Sequence, residues 1–156
     1  VLGRRGFVSL LALDAAFIGE GPRDWGLAGE QLVDERLVTQ DTAENMARLH
    51  WFGRLIGNTN MHLGNVGFHL LDEGPLALCP AYDMLPMLYR PNGHGEVVRR
   101  EWLPNLGTQL ALRHLPHCAR MARQFWNEVL DDADISTAFK NDVARPHLAT
   151  LRAFNV

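Results

Sequence analysis

The sequence predicts a mainly α-helical fold that contains one small β-hairpin. Residues 42–56 and 115–129 carry apolar side chains at the three- and four-residue spacing of amphipathic helices. Residues 66–71 instead follow the period of two that is typical of a strand. A turn at Asp72-Glu73-Gly74 separates this strand from a short apolar run over residues 75–79, so the two strands are expected to pair.

Helices are predicted before the hairpin. Ser9 is expected to cap a first helix over residues 10–18, and residues 30–38 favour a second one after a loop at 25–29. The acidic residue Asp41 marks the start of the helix over 42–56. Two neighbouring apolar stripes run along that helix, which indicates a wide buried face near the centre of the fold.

The last third of the chain is also predicted to be helical. After the helix over 115–129, Ser136 is expected to cap a helix that reaches residue 143, and a final helix covers 146–154. The segment 87–106 is irregular, and it reads equally well as a surface loop or as a loop that faces a protein substrate.

Length and composition restrict the class of protein. The 156 residues are the length of one domain, 1–156, and 47% of them are hydrophobic, which is enough for a core. The net charge of −3 argues against direct nucleic-acid binding. No apolar run approaches the ~18 residues that a membrane helix needs. The two cysteines, Cys79 and Cys118, lie in no metal-binding spacing, so they are expected to be reduced thiols of a cytoplasmic protein.

Two polar loops flank the hairpin and carry the candidate functional residues. The strands run out from Asn65 and back to Cys79, so Asn60, Asn65 and Asp83 are expected near one another at its open end. Protein kinases use a catalytic Asp, an Asn five residues later and a second Asp beyond a short hairpin. Positions 60, 65 and 83 have this spacing, and an amide with a carboxylate suits Mg²⁺.

Each of these residues also has a plainer interpretation. Asn60 and Asn65 are common turn residues, and Asp83 suits a local cap. His62 is a candidate catalytic residue, but orienting the loop through hydrogen bonds is the more economical role. His50, His62 and His69 do not have the spacing of a zinc site.

The first loop reads Gly57-Asn58-Thr59-Asn60-Met61-His62-Leu63-Gly64-Asn65, and the second reads Cys79-Pro80-Ala81-Tyr82-Asp83-Met84-Leu85-Pro86. Together they resemble the C-terminal domain of HipA-type serine/threonine kinases, which include bacterial toxin kinases of toxin–antitoxin pairs. The resemblance implies the large lobe of a protein-kinase-like fold. It also implies that Asn65 and Asp83 hold Mg²⁺ on ATP, and that Tyr82 supports the loop.

The sequence departs from that family at two points. Asn60 stands where the family has its catalytic Asp, and an amide cannot take up the proton of a substrate hydroxyl as a carboxylate can. The chain also shows no glycine-rich loop and no strand-borne Lys to hold phosphates. The family keeps both in an N-terminal nucleotide-clamping lobe. The chain is therefore expected to be a piece of a longer kinase and to be inactive alone.

The resemblance leaves other functions open. One is a non-catalytic pseudokinase that binds a nucleotide or a protein, and another is an accessory module of a transcription regulator. The family further implies a protein substrate and a DNA-binding antitoxin as partners, with no membrane partner.

Overall fold

The computed structural model describes residues 6–21, 24–96, 98, 100–103 and 113–153. These residues form two compact units. The first contains the described residues up to His50 together with Met61–Met84, and the second contains Trp51–Asn60 and the described residues from Leu85 onward. The fold is mostly helical with one small antiparallel sheet, as the sequence predicts. No helix in the described ranges is both long enough and apolar enough to cross a membrane.

Within the described residues, the sheet of the first unit has three strands rather than the two predicted. They are β1 (Phe7–Ser9), β2 (Gly67–His69) and β3 (Ala77–Leu78), in the order β1-β2-β3 with antiparallel pairing. The predicted hairpin is β2–β3, with Phe68 opposite Leu78. The prediction lacked β1, which pairs Phe7 with His69. A three-residue strand that runs directly into a helix is too short to show a period of two.

Helices surround this sheet within the first unit. Ser9 caps helix α1 (Leu10–Leu13) through a hydrogen bond from the Ala12 amide, and a π-helical turn, Asp14–Ile18, continues it. Helix α3 (Gln40–Ile56) begins two residues before the predicted start, and its first part belongs to this unit. An apolar cluster holds these elements together; it comprises Leu10, Leu13, Trp25, Ala28, Leu32, Val38, Met46, Leu63, Val66 and Phe68.

The prediction for helix α2 was wrong at both ends. The helix covers Trp25–Asp34, so the expected loop at 25–29 is helical. It starts there because the Asp24 carboxylate accepts hydrogen bonds from the Gly26 and Leu27 amides. It stops early because Arg36 adopts a left-handed backbone with φ 60°, which no helix can continue through.

The second unit is built from the end of α3 and from the C-terminal helices. Helix α4 (Leu115–Asp131) packs against α6 (Arg145–Ala153), and Ser136 caps α5 (Thr137–Phe139), which a π-helical turn, Lys140–Ala144, joins to α6. These helices agree with the predicted ones; residue 154, the expected last helical residue, lies outside the described ranges. In segment 87–106 the structure has a 3-10 turn at Met87–Tyr89. Residues 104–106 of that segment are not among those described.

Candidate functional site

The loop that follows α3 contains a self-capped turn at residues 62–65. Leu63–Asn65 form a 3-10 turn in which His62 Nδ1 accepts a hydrogen bond from the Gly64 amide at 3.1 Å. The Asn65 Oδ1 accepts one in return from the His62 amide at 3.1 Å. This reciprocal arrangement is a capping box. Because Asn65 Oδ1 takes part in it, the orientation of the Asn65 amide group is fixed, and its Nδ2 is directed to other partners. The ring of His62 therefore orients the loop.

The Asn65 side chain binds the carboxylate of Asp83. Its Nδ2 donates to Asp83 Oδ2 at 2.8 Å, across a sequence separation of 18 residues. Asn65 is buried, and both residues belong to the first unit. The structure therefore brings these two predicted residues into direct contact.

The backbone of Asp83 has an uncommon conformation. Its φ is +55°, in the left-handed region that costs most L-residues about 1–2 kcal/mol. Asp is among the few residues that adopt it with some ease, and such outliers cluster at functional sites. Together with the bond to Asn65, this backbone fixes where the carboxylate lies.

Tyr82 ties the second loop to the first. Its hydroxyl donates to the Gly64 carbonyl at 2.7 Å, although the side chain is still 38% exposed. Burial, and then the nearby Cys79 and Asp83, raise the pKa of Tyr82 above its usual value. The hydroxyl thus stays protonated and able to donate at neutral pH. The two loops are joined at two points, through Asn65–Asp83 and through Tyr82–Gly64.

Asn60 belongs to the second unit. Its amide donates to Asn58 Oδ1 at 2.9 Å, which closes a side-chain-to-backbone turn of the type that Asn commonly makes. Asn58 is buried, whereas Asn60 is exposed. The turn fixes the backbone at position 60 and leaves its side chain at the surface.

The chemistry of the pair in the first unit suits a hard cation. A carboxylate and an amide oxygen are ligands that Mg²⁺ accepts, provided that waters and phosphate oxygens complete its shell. In the described ranges, no three His, Cys, Asp or Glu side chains lie together as a metal-binding group. Asn65 and Asp83 therefore fit a metal that arrives with a phosphate ligand, and they do not form a complete cage by themselves.

The histidines considered for zinc have separate environments. His50 Nδ1 lies 3.5 Å from the Trp25 amide, and its Nε2 lies 3.9 Å from an Asp24 carboxylate oxygen. His50 therefore stabilises the start of α2.

A small cleft beside Asn65 is lined in part by Trp25, Leu49 and Tyr82. The Trp25 indole Nε1 is buried and has no hydrogen-bond partner among the residues that the structure describes.

Sequence reasoning did not single out His147 or Tyr89. In the second unit, the Tyr89 hydroxyl and His147 Nδ1 are 2.7 Å apart, and both side chains are buried. A single histidine on an amphipathic helix and a single tyrosine in an irregular segment give no spacing signal. The one available hint was that His147 falls on the apolar face of the final helix.

Two comparisons with known proteins complete the description of the site. A sequence model described as the HipA-like C-terminal domain matches residues 28–144, a range that includes all the candidate residues. Toxin YjjJ of Escherichia coli (strain K12) is 38% identical over 143 residues, which is 89% of this chain and 31% of the toxin. The chain thus spans about a third of the length of this curated relative.

Proposed function

Since the chain belongs to the family of HipA-like C-terminal domains, we propose that it is the Mg-ATP-holding part of a serine/threonine protein kinase. In this proposal its fold is the large lobe of a protein-kinase-like enzyme. The observation that carries the proposal is the 2.8 Å bond between Asn65 and Asp83, which joins the two loops whose residues resemble a kinase metal site.

Asn65 and Asp83 would hold the metal. When bound, Mg-ATP supplies the phosphoryl group and the positive charge that stabilises its transfer. The contribution of the chain is to hold one carboxylate and one amide in fixed places. The capping box orients Asn65, the left-handed backbone orients Asp83, and Tyr82 holds their loops together. A site held in this way loses little conformational entropy when it binds a ligand.

Position 60 limits the catalysis that we propose. In the kinases that this chain resembles, an Asp at that position accepts the proton of the substrate hydroxyl. The Asn60 amide cannot accept it, since its nitrogen is a donor and its oxygen is a very weak base. We therefore expect the chain to transfer phosphate at a negligible rate with Asn60 in place.

Asn60 also favours a second candidate function, that of a non-catalytic pseudokinase. Such a protein would bind Mg-ATP through Asn65 and Asp83 and use the bound state to engage a partner. The same pair of metal-binding residues, Asn65 and Asp83, supports both functions. The two functions differ in whether an acid at position 60 restores phosphoryl transfer.

The biological setting is proposed from the relative. The Escherichia coli protein is named a toxin, and the chain covers 31% of it. We propose that the whole protein acts as a bacterial toxin kinase on a protein substrate, with a DNA-binding antitoxin as partner. Cys79 is a free thiol, which suits the reducing cytoplasm. The net charge of −3 favours protein rather than direct DNA contacts for this domain.

Restoring an acid at position 60 tests the proposal. Asn60→Asp in the full-length protein that contains this domain should produce Mg-dependent autophosphorylation or phosphorylation of a co-purified protein, followed with radiolabelled ATP. Asn60→Gln keeps the amide and should stay inactive. Adding Asp83→Ala to the Asn60→Asp variant should abolish the new activity. An inactive Asn60→Asp protein that still binds Mg-ATP would favour the pseudokinase instead.

A further inference from the structure

The C-terminal end of α3 is held by side chains from distant parts of the second unit. The last carbonyls of a helix lack partners within the helix and need donors from elsewhere. His147 Nε2 lies 2.8 Å from the Leu55 carbonyl, across 92 residues of sequence. Trp102 Nε1 donates to the Arg54 carbonyl at 3.1 Å. Two aromatic N–H groups therefore act as caps that no local sequence signal provides.

The contacts of His147 determine which of its nitrogens carries the proton. A carbonyl oxygen can only accept, so Nε2 must be the protonated nitrogen that donates to Leu55. Nδ1 is then an acceptor, and it takes the hydrogen bond of the Tyr89 hydroxyl at 2.7 Å. The ring is 2% exposed. Both nitrogens of a buried neutral imidazole are thus satisfied.

Aromatic rings enclose this imidazole. Trp102 stacks on it with ring centres 4.4 Å apart and planes 25° apart, and Trp126 approaches at 4.5 Å. Burial lowers the pKa of His147 to about 4 and raises that of Tyr89 to about 12. The imidazole therefore stays neutral, and the phenol stays protonated, throughout the physiological pH range.

This cluster lies directly against the start of the loop that carries Asn60. Gly57 follows α3 with φ +86°, and a Cβ built on it would lie 3.3 Å from the His147 ring. The Gly57 carbonyl accepts from the Leu88 amide at 2.9 Å. The Asn58 amide donates back to Gly53 at 2.8 Å, and the turn to Asn60 begins from there. The backbone before position 60 is thus fixed by hydrogen bonds that begin at Gly57, the residue that lies against the His147 ring.

We propose that His147 is a positioning residue, which together with Trp102 holds the end of α3 so that residues 57–60 present position 60 in one fixed geometry. This role deepens the proposed function and rests on it, because position 60 matters only if the loop is catalytic. His147 touches no reacting group, and it acts through the backbone of Leu55 and Gly57.

Hydrogen exchange followed by NMR tests the positioning directly. His147→Ala should speed exchange of the Asn58 and Asn60 amides about ten-fold, as expected for one lost buried hydrogen bond. The Leu70 amide, which bonds Gly6 in the first unit, should keep its rate. His147→Gln retains an N–H donor and should restore slow exchange, at least in part. Trp102→Phe removes one donor and should show a smaller change, while His117→Gln on the exposed face of α4 should show none.

A kinetic measurement then separates this inference from the proposed function. In an Asn60→Asp protein, His147→Ala should lower kcat by about ten-fold or more while leaving KM for ATP unchanged. If His147→Ala leaves the amide exchange rates of Asn58 and Asn60 unchanged, or raises the rate of Leu70 equally, the positioning role is overturned. That conclusion does not depend on the kinase activity. An inactive Asn60→Asp protein would count against the proposed function, and the exchange data would then decide by themselves whether His147 fixes the loop.

Discussion

The two tyrosines of the chain allow one hydrogen bond to be compared in two environments. Tyr82 and Tyr89 each donate a hydroxyl hydrogen over 2.7 Å, the first to the Gly64 carbonyl and the second to His147 Nδ1. Tyr82 is 38% exposed, whereas Tyr89 is 5% exposed and His147 is 2% exposed. Substitution by Phe removes one oxygen in both cases; the acceptors differ in kind, a carbonyl oxygen and an imidazole nitrogen, and the larger difference between the two sites is burial.

The expected magnitudes follow from what replaces the lost hydroxyl. In Tyr82→Phe, water can reach the Gly64 carbonyl, so the free energy of unfolding should fall by about 0.5 kcal/mol. In Tyr89→Phe, no water reaches His147 Nδ1, and an unsatisfied buried acceptor costs about 1–3 kcal/mol. Tyr89→Phe should therefore lower the urea midpoint by roughly 1 M, and Tyr82→Phe by much less.

The assay is urea denaturation followed by tryptophan fluorescence, with Trp126 next to Tyr89 and Trp102 stacked on its partner His147. Thermal unfolding at the same pH provides a second measure. Equal losses for the two variants, or a larger loss for Tyr82→Phe, would refute the assignment of Tyr89 and His147 as a buried hydrogen-bonded pair.

Three further predictions concern single groups. Because the pKa of His147 is about 4 when folded and about 6.5 when unfolded, the unfolded chain binds the extra proton first as pH falls. Stability should thus decline from pH 6.5 towards 4 by up to about 1.4 kcal/mol per unit, and His147→Gln should flatten the profile measured by urea titration. Asp83→Gly and Asp83→Ala should both abolish Mg-ATP binding in calorimetry, and Gly should lower the melting temperature less than Ala, since both lose the bond to Asn65 but Gly adopts φ +55° without strain. Asp24→Ala should lower the free energy of unfolding, measured by urea denaturation, by about 0.5–2 kcal/mol, because it removes the cap of α2.

Periodicity in the sequence was sufficient to predict the long helices and the central hairpin. Helices α3 and α4 each carry apolar residues over four turns or more, and β2–β3 follows a clear turn signal. The hairpin topology predicted that Asn60, Asn65 and Asp83 would lie close, and the structure places Asn65 and Asp83 in contact, while the prediction for Asn60, which belongs to the second unit, is untested. Their role as metal ligands stays a prediction.

The features that the sequence did not reveal depend on contacts between distant residues. Strand β1 exists because three residues pair with β2, and their own pattern carries no strand signal. The early end of α2 results from the left-handed backbone of Arg36, a conformation that Arg rarely adopts. The capping of α3 by His147 requires a fold that brings together residues 92 positions apart.

Calorimetric titration with Mg-ATP is the decisive test of whether Asn65 and Asp83 hold the metal. The full-length protein that contains this domain would be compared with its Asp83→Ala variant, and with Asp72→Ala as a control in the exposed turn of the same hairpin. We expect Mg-dependent ATP binding in the unaltered and Asp72→Ala proteins and its loss in Asp83→Ala. Equal ATP binding by all three proteins, or binding that persists without Mg²⁺, would contradict the assignment of Asn65 and Asp83 as the metal-holding pair.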